Sequence, residues 1–175
     1  MSLAINTTTP EGMILATDSR QSYRNQKGAA RVGSDSASKL FLLNNRIAVA
    51  VTGLAFLPEN GIPKNISRFI DKFKRETEME KMTVKEVANK LNDFFNIKHN
   101  WQEPLSKLPE QLTDNFTKQG FEVIETKKEK YNVRFKIKDK SGKISEVVGQ
   151  VDGLVFFVAG YNADGSHEVY NIYIP

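Results

Sequence analysis

The chain has 175 residues, 39% hydrophobic and 26% charged, enough to bury one sizeable core and outside the compositions of disordered or collagen-like proteins. The absence of cysteine excludes disulfides and thiolate metal sites and suits a reducing cytoplasm, and no apolar run approaches a spanning helix or follows a basic start as in a secretory signal. The net charge of +4 is uneven: residues 127–143 hold eight Lys or Arg against Glu129 and Asp139, a local +6, which leaves 17 basic and 19 acidic residues elsewhere, or −2.

From the amino end, apolar runs at 3–9 and 13–17 flank Pro10-Glu11-Gly12, where Pro presets φ and Gly permits a positive one; the pattern predicts a tight hairpin. A turn centred near Glu11 serves as a ruler. It sets position 18 opposite a residue two or three from the chain start, so Asp18 falls beside the N-terminus. A polar loop rich in Gly, Ser and Asn follows, then a strand over 39–43, a turn at Asn44-Asn45, and a strand over 46–52 with Ile47, Val49 and Val51 on one face, broken at Gly53.

Pro58-Glu59-Asn60-Gly61 reads as a loop and Pro63 as a helix start. Ile66, Phe69, Ile70 and Phe73 recur with helical spacing. Thr83-Val84-Lys85-Glu86 has the spacing of a capping box and opens a second helix with Val87, Ala88, Leu91, Phe94 and Phe95 in one stripe. Leu105, Leu108, Leu112 and Phe116, with Pro109 among them, predict a short or broken helix ended by Gly120. A strand over 121–124 comes next, and then a hairpin in which Tyr131, Val133, Phe135 and Ile137 alternate with Arg134, Lys136 and Lys138 before returning over 144–148.

Four blocks in order carry a resemblance. Met-Ile-Leu-Ala-Thr-Asp-Ser-Arg (13–20), Ser-Lys-Leu-Phe (38–41), Arg-Ile-Ala-Val-Ala-Val-Thr-Gly-Leu (46–54) and Phe-Phe-Val-Ala-Gly-Tyr-Asn-Ala-Asp-Gly-Ser-His (156–167) resemble proteasome β-subunits and their bacterial relatives, of the N-terminal nucleophile (Ntn) hydrolase superfamily. The resemblance covers about the first third and the last tenth of the chain. It implies an α+β fold, the αββα sandwich of that superfamily, in a single domain over 1–175 with 102–152 inserted as a helix plus hairpin. Family members continue past the strand that resembles 169–175. Two alternatives stay open: a chain truncated at its C-terminus, or a sheet face covered by the inserted segment or a neighbouring subunit.

The family attacks amide bonds with the hydroxyl of a processed N-terminal Thr, using its own α-amine, of reference pKa near ~8, as base. A Lys keeps the local potential positive and a carboxylate orients the Lys. Transferred position by position, the carboxylate falls on Asp18, the Lys on Lys39, the backbone oxyanion donor on Gly53 and, counting back without gaps, the nucleophile on Ser2. Met-Ser is a pair from which the initiator Met is commonly removed. The Thr7-Thr8-Thr9 run imitates a mature family N-terminus, but the ruler puts Thr7 opposite residues around 15, on the order of 10 Å of strand from Asp18.

The reading expects a peptide or other amide substrate, a homo-oligomeric ring or dimer, no cofactor, no metal and no membrane partner. Its rivals are a catalytically silent subunit of the same fold and a module that holds nucleic acid or an acidic partner through 127–143. In the plainer view, Asp18 is a turn acceptor, Lys39 a solvated edge charge, Met-Ser-Leu a cloning scar, and the alternating lysines a guard against edge pairing. His99 and His167 stand in separate contexts, which disfavours a Ser-His-Asp triad, and no phosphate-loop or dinucleotide fingerprint occurs.

Overall fold

Strand β1 (Ala4–Thr9) pairs antiparallel with β2 (Gly12–Thr17) so that Thr9 faces Gly12 and Pro10-Glu11 form a two-residue turn. This is the hairpin read from the sequence, in a computed structural model that describes residues 3–24 and 30–175. Thr7 faces Ile14 and Ala4 faces Thr17, as the ruler requires. One detail differs: Gly12 lies within β2 at an ordinary negative φ, since it is absent from the positive-φ glycines.

Two further hairpins occupy stretches expected to be loops. Strands β3 (Gln21–Arg24) and β4 (Ala30–Ser34) pair where a polar loop was expected. After β5 (Leu40–Leu42) and β6 (Ile47–Gly53), β7 (Phe56–Glu59) pairs with β8 (Ile62–Asn65) around Asn60-Gly61. Both turn residues have positive φ, 53° and 76°, the combination that matches strand twist in a two-residue hairpin. Pro63 therefore sits in β8 opposite Pro58 instead of opening a helix. Helix α1 (Ile66–Glu76) starts three residues later, where the Asn65 side chain caps Ser67 N at 2.9 Å.

Helix α2 (Val84–His99) opens on the expected capping box: Glu86 Oε2 accepts from Thr83 N at 2.8 Å while Thr83 Oγ1 accepts from Glu86 N at 3.2 Å. The last two strands of this part, β12 (Leu154–Tyr161) and β13 (His167–Ile174), complete an antiparallel sheet of order β13-β12-β6-β5. Register pairs Phe156 with Val51 and Val158 with Val49, so these buried residues share one face. Helix α2 covers that face over β12 and β13, and Phe95 meets Phe156 at 4.5 Å between ring centroids. Helix α1 buries Phe69, Ile70 and Phe73, and Phe73 meets Phe94 edge to face at 5.5 Å. The opposite face carries the hairpin. Strand β2 packs on β5, β6 and β12, and the Tyr161 hydroxyl lies 3.6 Å from where a Cβ on Gly12 would be.

With three helices and antiparallel sheets among the described residues, the chain is α+β. It divides into two compact units, the one just described and a second built on Asn100–Asp152, which contains the segment 102–152 singled out above. In that unit, α3 (Gln102–Lys118) packs on a sheet of order β11-β10-β9, formed by β9 (Glu122–Lys128), β10 (Asn132–Lys138) and β11 (Ile144–Gln150). Its core is Leu105, Val133, Phe135 and Ile137, with Leu108, Leu112 and Phe116 packed against them. Pro109 lies inside α3 without ending it, and the chain leaves the helix at Gly120 with φ 85°. A Cβ on Gly149 would collide with the Leu112 side chain, so glycine there lets helix and sheet close up. No described helix is long and apolar enough to cross a membrane.

Phe156 is fully buried between sheet and helix, so truncating it leaves a cavity the aromatic neighbours cannot fill. Phe156→Ala is expected to cost about 3–5 kcal/mol, read as a lower urea midpoint for the intrinsic signal of this unit.

Candidate functional site

The site is assembled at the open end of the first hairpin. Asp18 follows β2 directly, and its backbone N–H donates to Leu3 O at 3.1 Å, so the pairing of the hairpin runs one residue past the strands. Leu3 N returns a hydrogen bond to Asp18 Oδ1 at 2.8 Å. Ser2 precedes this pair in the chain and lies outside the described residues.

Lys39 comes from the other sheet. Its carbonyl accepts from Val51 N at 2.8 Å, which fixes the residue at the start of β5 beside β6. Its ammonium donates to Asp18 Oδ2 at 2.9 Å and to the carbonyl oxygen of Arg20. The Lys39 side chain is 10% exposed and that of Asp18 29%, so this is an ion pair drawn largely out of water and not a solvated edge charge. The two oxygens of Asp18 thus divide their work, one holding the start of β1 and the other the ammonium.

Gly53 closes β6 with φ 96°. Alternation along the strand turns its N–H to the same edge as that of Val51, roughly 7 Å further on. A Cβ at this position would collide with the carbonyl oxygen of Gly153, which instead accepts from Leu54 N at 3.1 Å. The structure therefore brings Asp18 and Lys39 into direct contact and sets Gly53 two residues along the strand that anchors Lys39.

Electrostatically the carboxylate is held in its charged form. The Leu3 N–H does most to hold the Asp18 carboxyl below the usual Asp range; burial, the next largest effect, opposes it, and the Lys39 ammonium adds to the lowering. The arrangement offers an oriented, partly desolvated cation next to the first described residue of the chain. Sequence reasoning missed the Arg20 carbonyl, along with Ser19 and Asp35, which hold this turn. The Ser-Asp-Ser-Ala-Ser run at 34–38 signals side-chain hydrogen bonding to backbone, but not which backbone.

The basic hairpin has a different electrostatic character from the one its sequence window suggests. Strand β9 lies against β10, and Glu125 meets Lys136 at 2.7 Å, Glu129 meets Arg134 at 2.8 Å and Glu122 approaches Lys138 to 3.5 Å. Glu125 and Glu146 also line a shallow hollow with Lys127, Arg134 and Lys136. Glu122, Glu125 and Glu146, just outside the window, and Glu129 within it thus interleave with its cations. His99 is buried on α2, and the His167 ring lies 6.2 Å from Tyr161 in the β12–β13 connection, so the two histidines serve separate elements. Among the described residues no three His, Cys, Asp or Glu cluster as metal ligands.

No family model, curated protein or solved structure matches the chain.

A carboxyl whose folded-state pKa is depressed stabilises the fold above its unfolded-state pKa, near ~4, and that stability drains away as pH falls through the lower folded-state value. The unfolding free energy of the wild type should therefore exceed that of Asp18→Asn by a constant amount at neutral pH. The gap should shrink as pH drops below about 4. Urea titrations of both proteins from pH 7 to pH 3 measure it, and a pH-independent gap would remove the carboxylate from the account.

Proposed function

We propose that this chain is a proteasome-like N-terminal nucleophile hydrolase that cleaves peptide or other amide bonds from a cytoplasmic, homo-oligomeric assembly. The observation that carries the reading is the partly buried Lys39–Asp18 pair, whose carboxylate also holds Leu3 N, next to where the chain begins. In this reading Met1 is removed and the Ser2 hydroxyl attacks the substrate carbonyl. The freed α-amine takes the hydroxyl proton, since an amine of pKa near ~8 can act as base at neutral pH. Lys39 keeps the potential positive so that the amine stays unprotonated, Asp18 orients Lys39, and Gly53 N–H receives the oxyanion.

The layering supports the same class: α2 on one face of a four-stranded sheet, with α1 meeting it through Phe73 and Phe94, and a strand hairpin on the other face are consistent with three layers of an αββα sandwich. The unit built on Asn100–Asp152 is then an insertion carried by that sandwich. Binding of nucleic acid through 127–143 is the weaker reading, because Arg134, Lys136 and Lys138 on its central strand already face Glu129, Glu125 and Glu122.

Intact-mass analysis of the untagged protein should show loss of Met1. Hydrolysis of fluorogenic peptides should fall about 10³-fold or more in Ser2→Ala. Retained Met1, or turnover that survives Ser2→Ala, would discard this mechanism.

A further inference from the structure

The turn leaving β2 is held by more contacts than the Asp18–Lys39 pair. Ser19 Oγ donates to Asp35 O at 2.8 Å, and Ser19 O accepts from Ala37 N at 2.9 Å. Arg20 Nε donates to Asp35 Oδ1 at 2.7 Å. These contacts surround the peptide that carries Arg20 O, the second acceptor of the Lys39 ammonium.

We propose that Asp35 and Ser19 are positioning residues for Lys39, acting through Arg20; the proposal rests on the hydrolase reading for its catalytic meaning but not for its geometry. Residues 18–20 and 35–37 form a clamp that fixes the direction of the Arg20 carbonyl. Asp18 takes one ammonium hydrogen and the Arg20 carbonyl, two residues further along the same turn, takes another, so together they constrain Nζ more than Asp18 alone would. Only Ser38 separates Ala37 from Lys39, so the same clamp also helps fix where β5 begins. Asp35 holds the turn in two distinct ways: its backbone oxygen accepts from Ser19 and its carboxylate from Arg20.

Magnitudes set the expectation. The Arg20 and Asp35 side chains are 62% and 65% exposed, so losing that pair alone should shift the behaviour of Lys39 only about threefold. Removing the Ser19 hydroxyl as well leaves the turn tied to 35–37 by the Ala37 N–H to Ser19 O bond but by neither of these side-chain bonds. A displacement on the order of 1 Å at a catalytic group costs up to about a hundredfold in rate, and about tenfold is expected for the double change.

The test reads Lys39 directly. Acetic anhydride labelling, followed by peptide mass spectrometry, gives the acylation rate of Lys39 relative to exposed Lys90 on α2 of the same molecule. Ser19→Ala/Asp35→Ala should raise that ratio about tenfold, Asp35→Ala about threefold, and Asp35→Asn, which still accepts from Arg20 Nε, should stay near wild type. With peptide substrates, kcat should fall by similar factors while KM changes by less than about twofold. Labelling needs no turnover, so a chain without peptidase activity whose Lys39 still becomes reactive supports the clamp while the hydrolase reading fails. An active enzyme whose Lys39 ratio is unmoved in the double variant overturns the clamp and leaves the hydrolase reading standing. If the double variant does not fold, Asp35→Ala, an exposed single change, carries the same test, and an unchanged ratio there overturns the proposal.

Discussion

A lysine whose side chain is 10% exposed must find acceptors for its ammonium, and the need of Lys39 for them ties the hairpin to the four-stranded sheet. Two of its partners among the described residues, Asp18 Oδ2 and Arg20 O, come from the end of β2, whereas its own backbone is hydrogen-bonded to β6. Any slip of the hairpin along its own register would move Asp18 off Leu3 and off Lys39 together. A one-residue shift in a strand also exchanges its two faces, so it would expose Leu15 and Met13 and bury Ile14. Polar pairing at the open end and apolar packing along the strands thus select one register.

The second unit solves a separate packing problem by the same means. Its sheet has one apolar face, with Val133, Phe135 and Ile137 under α3, and one face where cations would repel if left alone. Cross-strand carboxylates on β9 and just after it answer that repulsion, and the pairs are exposed enough that each contributes little to stability individually. Their consequence is a weaker local charge: residues 122–146 hold eight basic and five acidic side chains, or +3. The +6 of residues 127–143 is a property of the chosen window, and the strand pairing decides the field that a partner would meet.

What could be read in the sequence follows from which interactions are local. The first hairpin, the β5–β6 turn and the capping box were legible because each is specified by residues within a few positions: Pro10-Glu11, Asn44 taking Arg46 N and Ile47 N, and Thr83 with Glu86. The β3–β4 and β7–β8 hairpins were not. Strand β3 lacks an alternating apolar pattern, and Pro58 and Pro63 argue against strands unless, as here, they face each other across an isolated two-stranded ladder. At the site, the meeting of Asp18 with Leu3 followed from hairpin geometry, while its meeting with Lys39 depends on how two sheets stack and came only from resemblance to a family. The ties of Ser19 and Arg20 to Asp35 span fifteen or sixteen residues with no periodic signature between them.

Gly53 shows why residue identity and function must be argued separately. Two backbone facts demand glycine there whatever the protein does: a φ of 96°, and a neighbouring Gly153 carbonyl that leaves no room for Cβ. A glycine at this position is therefore no evidence for an oxyanion donor. The relevant fact is the direction of its N–H, which the alternation of β6 sets toward the edge that holds Lys39. The same reasoning applies to Asp18, whose bond to Leu3 N would serve a purely structural hairpin equally well. Its second oxygen, on a lysine withdrawn from solvent, anchors the hairpin to the four-stranded sheet, and the catalytic reading rests on what else that lysine does.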